Sequence, residues 1–418
     1  MKKLTLMVVL CLTTLIAYGQ SKLNTMNPQS WEEDLNYLDK KIQKEFNSFT
    51  PGLKGEFSKE VLSLKSKLGS LKNYEVAGEI MRILSTLKDG HTELNIGHPK
   101  VGFHRVPLSL YIMEGEFYVL AAHEKYSHLV GGKVTAIGDT PIKEAFERLK
   151  QNMSHDNDME FLHAGPGYIL LTELLAYLNL TKEHLKSDLT IKQLDGTEVK
   201  TTFTGMEISA YNKGSWKTYR QMNGLETPLY QSQNSSYYWY QYLPDGKTMY
   251  FNLSRVNNQK GKKSIKSFSK ELFAEIDKLK PEKLVIDLRL NNGGNYHRSE
   301  PIIKAIEERP WLNQKGKIWA ITARRTFSAA STTCIHLKQR TNIQLIGEAG
   351  RTHPNAAQNN EYMSLPNSDF LIEYTTRIKK HWPEHPDYDR VPVDVEVLPT
   401  FEAYRKGIDR VLEYLINN

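Results

Sequence analysis

LVIDLRLNNGG, residues 284–294, and TFSAAS, residues 326–331, decide the reading of this chain. The first is an apolar strand-like run, Leu284 to Leu288, that leads into Asn291-Asn292 and a Gly-Gly turn. Two glycines after a buried strand let the backbone turn with positive φ and approach a ligand closely. Their N–H groups could receive an oxyanion, or simply cap the next helix. The second stretch places Ser328 at the start of a helix, where free N–H groups and the helix dipole favour negative charge. Ala329 and Ala330 leave room beside it. Ser328 has an ordinary reading too, as a helix N-cap, and Thr326 and Ser331 are competing hydroxyls. A turn rich in N–H groups paired with a hydroxyl nucleophile makes a serine hydrolase the leading expectation. No G-x-S-x-G elbow occurs, which argues against an α/β-hydrolase.

The surrounding pattern is alternating α/β. Strands are expected at Met249–Leu253, Leu284–Leu288, Ile318–Thr322 and Ile343–Ile346. Helical spacing marks Ile265, Phe268, Leu272, Ile276 and Leu279, then Ile302, Ile303 and Ile306, then a helix from Ser328 with Ile335 and Leu337 inward. Such alternation predicts a mainly parallel sheet covered by helices, with its site at the carboxyl ends of the strands.

Upstream the pattern is different. Ser30-Trp31-Glu32-Glu33 reads as a capping box opening a helix with Trp31, Leu35, Leu38, Ile42 and Phe46 on one face. A second helix carries Phe57, Val61, Leu64 and Leu68. A third carries Val76, Ile80, Leu84 and Leu87 and is expected to stop at Gly90. His91 follows at once. It is either a surface histidine at a helix end or a base held at an element boundary. Residues 107–203 read as a β-rich module, with a hairpin turning at Asp195-Gly196. The Ser-, Asn- and Tyr-rich stretch after it reads as a linker or surface excursion. The domain division is 1–19, 20–100, 101–205, 206–247 and 248–418.

The chain has 418 residues, 39% hydrophobic and 25% charged, the balance of a globular protein of two or three domains. Its net charge of +7 is scattered, with no Lys/Arg block, so it reads as a solvated surface and not a nucleic-acid footprint. Lys2 and Lys3, the apolar run Leu4–Ala17 and Ala17-Tyr18-Gly19 read as a signal peptide, which places the mature protein in the periplasm or outside the cell. Cys11 follows the large Leu10, against a lipid-anchored cysteine. After signal removal Cys334 alone remains, so no intrachain disulfide is expected, and no segment reads as a membrane span. His381-Trp382-Pro383-Glu384-His385 has metal-ligand spacing, but Pro383 breaks the helix that would align the two imidazoles. No metal and no cofactor is expected.

Taken together the motifs resemble the C-terminal-processing and tricorn-core-like serine peptidases. Lys88-Asp89-Gly90-His91-Thr92 is similar to the family's Asp-x-His motif. Gly131 to Ile142 is similar to the end of its PDZ-like domain. Val285 to Gly294 resembles its Asp-x-Arg-x-Asn-x-Gly-Gly signature, and Thr326 to Ala330 its nucleophile motif, with Gly347-Glu348 following. The resemblance spans roughly residues 30–410. It implies a crotonase-like α/β core with an N-terminal helical bundle and a PDZ-like middle module, acting on peptide or protein substrates. It implies Ser328 as nucleophile and Gly293, Gly294 and Ala329 N–H groups as the oxyanion hole. The processing branch uses a lysine about 25 residues beyond the serine; the matching position here is His353, which excludes a Ser–Lys dyad there. The tricorn-like branch uses a histidine, matched by His91, although Gly90 stands where that branch has a serine. Its C-terminal acid is matched by Asp387, with Glu384 second. The competing readings are a catalytically degenerate member that binds peptide tails or apolar ligands, and an acyl hydrolase for small esters.

Overall fold

The computed structural model describes residues 21–47, 52–244, 246–355 and 357–418. The expected signal peptide lies outside them. Among the described residues no helix is long and apolar enough to cross a membrane. The fold is mixed α/β.

A six-stranded sheet forms the C-terminal half. Thr248–Leu253, Lys283–Asp287, Ile318–Thr322, Gln344–Gly347 and Val395–Glu396 lie side by side in parallel, and Tyr238–Leu243 adds an antiparallel edge on Thr248–Leu253. Every residue of Thr248–Leu253 and Ile318–Thr322 is buried, as expected of parallel strands covered on both faces. Helices Ile265–Leu279, Glu300–Glu307 and Ala329–Arg340 supply Ile276, Ile303 and Ile335 to one face. The C-terminal helix Arg410–Asn417 brings Leu415 against Tyr250, Val285 and Ile321 on the other. A buried ionic chain ties that helix down. Arg289 pairs with Asp287 and with Asp409, and Tyr250 donates its hydroxyl to Asp287 at 2.6 Å.

The N-terminal half is built on a second core. Helices Pro28–Glu45, Leu53–Lys65 and Asn73–Ser85 form where the periodicity predicts them. The first differs in its cap. Asn27, not Ser30, accepts the Ser30 N–H at 2.9 Å, and Pro28 takes the first turn, where its missing N–H costs nothing. The third ends at Ser85 rather than running to Gly90, so Leu87 to Thr92 is a loop. Trp31 and Leu38 share one hydrophobic cluster with Val119, Ile137 and Phe203 of the β-rich module and with Phe370 and Tyr374 far along the chain. The core therefore does not break at residue 100. The module is an antiparallel sheet in the order Trp216–Thr218, Glu116–His123, Lys133–Ile137, Lys186–Lys192, Glu198–Thr204. Trp216–Thr218 lies within the expected linker 206–247, yet it pairs with Glu116–His123 as a sheet edge, so that stretch is structural. A further hairpin, Ala357–Ser364 with Leu371–Ile378, had no counterpart in the sequence reading, and it pairs with Glu93–Leu94 just after His91.

The two halves meet at Arg324. Its guanidinium pairs with Glu348, donates to Ile112 O at 2.8 Å and Leu162 O at 3.3 Å, and lies over the Tyr111 ring. Arg324 and Glu348 are both nearly fully buried. Removing one partner strands the other charge out of water. Arg324→Met is expected to lower unfolding stability by about 3–5 kcal/mol, read from urea melts of the two proteins.

Candidate active site

The sheet places two loops together at its carboxyl edge. Asn291 joins them. Its backbone carbonyl accepts the Phe327 N–H at 3.1 Å, its Nδ2 donates to Leu253 O at 2.8 Å, and its Oδ1 accepts the Gly293 N–H at 2.9 Å. Gly293, at φ 107°, lies so close to the second loop that a Cβ would sit 2.9 Å from Ser328 Cβ. Gly294, at φ 136°, would press a Cβ to 2.6 Å from Val256 O. Both positions require glycine.

Ser328 caps the helix Ala329–Arg340 in an unusual conformation, φ 52° and ψ −123°. It does not use its side chain as a helix cap. Its N–H donates to Thr352 Oγ1 at 2.6 Å. A non-glycine residue held there stores of order 1–3 kcal/mol of backbone strain, the kind that aims a side chain away from its own helix. Among the described residues neither the Ala329 N–H nor the Gly294 N–H has a hydrogen-bond partner. The Gly293 N–H is engaged by Asn291, so of the three expected oxyanion donors two are open and one is occupied.

His91 lies in the buried loop after Asn73–Ser85. Its ring stacks on Phe327, the residue before Ser328, with centroids 4.2 Å apart. It is 2% exposed, and neither ring nitrogen has a hydrogen bond. Two carboxylates flank it. Asp89 Oδ1 is 3.8 Å from Nδ1, an ion contact beyond hydrogen-bond length. Asp89 is itself fixed by the Thr92 and Thr375 hydroxyls, each at 2.6 Å, and by the His91 N–H. Asp156 accepts the Gly90 N–H at 2.7 Å and the His353 N–H at 3.0 Å. Burial works against a charge on His91, yet the Asp89 and Asp156 carboxylates outweigh it and raise the imidazole pKa. Burial raises Asp156 to about 6, against the pull of His91.

Asp387 and Glu384 are not at His91. Both are exposed, and neither has a hydrogen bond or ion pair among the described residues. The segment 381–390 is irregular, and it buries His381 and Trp382 while turning its acids to solvent. Spacing to Val393-Asp394 could not show this. The acids beside His91 are Asp89, already within the quoted motif, and Asp156, which lies in the polar loop Ser154-His155-Asp156-Asn157. Only that clustering of polar residues marked it in the sequence. Arg351 and Thr352 were also missed. Arg351 lies over Phe327, pairs with Glu160 and donates to Asn292 Oδ1 at 2.8 Å. His353 reaches the site through its backbone, where the processing branch would place a lysine.

Asp89, His91 and Asp156 bring one ligand atom each within 4.8 Å, a set able to approach a metal ion. Both carboxylates already accept hydrogen bonds, Asp156 from two backbone N–H groups and Asp89 from one N–H and two hydroxyls, the arrangement that orients an imidazole. His381 and His385 do not share a helix face, and His385 stacks instead on Tyr388.

Solved structures of CPAF share this fold. Mature CPAF matches with a TM-score of 0.62 at 13% identity over 94% of this chain and 98% of its own. CPAF complexed with lactacystin matches with a TM-score of 0.62 at 13% identity, over 94% and 99%. The photosystem II D1 C-terminal processing protease covers 91% of this chain and 98% of its own at 13% identity, with a TM-score of 0.41. No family model matches the chain, and no curated protein matches it in sequence. These likenesses show that the chain shares the fold of mature CPAF.

Asp156→Asn removes one of the two charges that raise His91. The imidazole pKa, followed by NMR titration, is expected to fall toward its usual 6.5. A raised folded-state pKa adds stability below the unfolded value that is lost as pH rises through the folded value, and Asp156→Asn should shrink that loss.

Proposed function

We propose that this chain is an exported serine-type endopeptidase whose nucleophile is Ser328 and whose general base is His91. The observation that carries this reading is the strained Ser328 at a helix N-terminus, with a buried imidazole stacked on the residue before it. The shared fold supports it. In this reading the C-terminal half is a crotonase-like core and the middle module is PDZ-like.

The chemistry follows from the groups present. Ser328 Oγ attacks the scissile carbonyl as His91 takes its proton. The tetrahedral oxyanion forms beside the Ala329 and Gly294 N–H groups, aided by the dipole of Ala329–Arg340. Gly293 joins if its N–H leaves Asn291. The His91 imidazolium, held by Asp89 and Asp156, then protonates the leaving amine, and water hydrolyses the acyl-enzyme by the reverse path. No step calls for a metal or cofactor. Export to the periplasm or cell exterior rests on the N-terminal sequence alone.

Ser328→Ala is expected to lower peptidase kcat by about 10⁴-fold or more and to abolish labelling by a fluorophosphonate, with an unchanged melting curve. Labelling that persists in the variant defeats the assignment. Because His91 must be neutral to accept a proton and its pKa is raised, the acid limb of kcat/KM is expected above pH 6.5.

A further inference from the structure

We propose that Asp89, His91 and Asp156 form a binding site for a zinc ion, and that the bound ion reversibly blocks the chemistry at Ser328. The block rests on the peptidase reading; the binding does not.

The ligand atoms are already gathered. One nitrogen of His91 and one oxygen each of Asp89 and Asp156 lie within 4.8 Å of one another. Asp89 Oδ1 is 3.8 Å from His91 Nδ1. Ligand atoms of a tetrahedral zinc site stand about 3.3 Å apart, so closing on an ion asks for small movements. The imidazole is also without a partner. His91 is 2% exposed and neither ring nitrogen has a hydrogen bond. A buried polar atom left unpaired is costly, and a metal ion satisfies the imidazole lone pair. The two carboxylates, in turn, lack a cation. Among the described residues neither pairs with Lys or Arg, whereas Glu348 and Glu160 have Arg324 and Arg351.

The carboxylates keep room to coordinate. Asp89 Oδ1 accepts only the His91 N–H, while its Oδ2 takes both hydroxyls. Each Asp156 oxygen accepts one backbone N–H, from Gly90 or from His353. A carboxylate oxygen has two lone-pair directions, so one remains on Asp89 Oδ1 and on each Asp156 oxygen. Gly90 is what lets the second acid in, since a Cβ there would sit 3.1 Å from Asp156 Oδ1. Asp156 is half-buried, which gives the ion a way in. One imidazole and two carboxylates suit zinc, with its fourth position left to water.

The block follows from the imidazole itself. A neutral ring has one lone pair. When zinc takes it at either nitrogen, the other nitrogen carries the proton and can only donate. His91 then cannot receive the Ser328 proton, and removing the ion restores it.

The test titrates zinc chloride into the mature wild-type chain, free of any affinity tag, against a chromophoric zinc indicator at constant pH. One ion per chain is expected, with a Kd of about 1 μM. Asp156→Asn and Gly90→Ala should each weaken binding by about tenfold or more without changing the zinc-free melting curve. His336→Gln, in the separate ring cluster with Tyr296 and His381, should leave it unchanged. Should Asp156→Asn fail to fold, anomalous diffraction at the zinc edge from wild-type crystals locates the ion instead. Zinc at about ten times its Kd is expected to slow both fluorophosphonate labelling and peptide turnover by about tenfold, and EDTA to restore them. Binding that Asp156→Asn leaves intact, an ion located elsewhere, or no binding at about 1 mM zinc overturns the site. Zinc at this site with labelling and turnover unchanged overturns the block. A zinc-free wild type that neither labels nor cleaves peptides overturns the peptidase reading and the block with it, while the indicator titration still decides the site.

Discussion

Two consecutive N–H groups hold the centre of this molecule in place. Phe327 donates to the Asn291 carbonyl and Ser328 to the Thr352 hydroxyl, and between them the backbone is kept at φ 52° and ψ −123°. Such a conformation persists only where its surroundings over-determine it. Here they do so from three sides. Asn291 is buried and anchored to Leu253 O, Gly293 packs so close to Ser328 that a Cβ between them would not fit, and Thr352 follows Arg351, which is itself clamped to Glu160 and Asn292. The strand ends supply the rigidity and the loops supply the polar groups, the usual division of labour in a parallel α/β sheet.

Both halves of the molecule contribute residues to this cluster. His91, Asp89 and Asp156 all come from the N-terminal half and its β-rich module, while Ser328 and the glycine turn come from the sheet. Neither half holds a complete set. Arg324 locks them together four residues before Ser328, reaching Ile112 and Leu162 on one side and Glu348 on the other. The hairpin strand Leu371–Ile378 adds a second tie, with Thr375 donating to Asp89 and Glu93–Leu94 pairing along its edge. A buried imidazole set between two carboxylates is then charged more readily than burial alone would allow.

Much of this was legible along the chain. The parallel strands announce themselves because both faces are covered and their residues are mostly apolar, and the N-terminal helices because Trp31, Leu35, Leu38 and Ile42 repeat at helical spacing. Trp216–Thr218 was not legible. It is a three-residue sheet edge with no fully buried side chain, so it carries no alternation to read. The cap at Asn27 was misplaced because Ser30 and Glu33 satisfy the same local rule, and only the hydrogen bond actually made distinguishes them.

By itself the sequence determined the alternating α/β core, the glycine turn and Ser328 at a helix start, because each follows from local periodicity or local backbone chemistry. It could not determine which acids stand beside His91. Asp387 and Glu384 match in spacing and lie in solvent, whereas Asp89, buried, and Asp156, half-buried, each bring an oxygen within 4.8 Å of a ring nitrogen from two different loops. That choice belongs to the tertiary structure. A carboxylate's influence falls with distance through the protein interior and not along the chain, and only packing sets that distance.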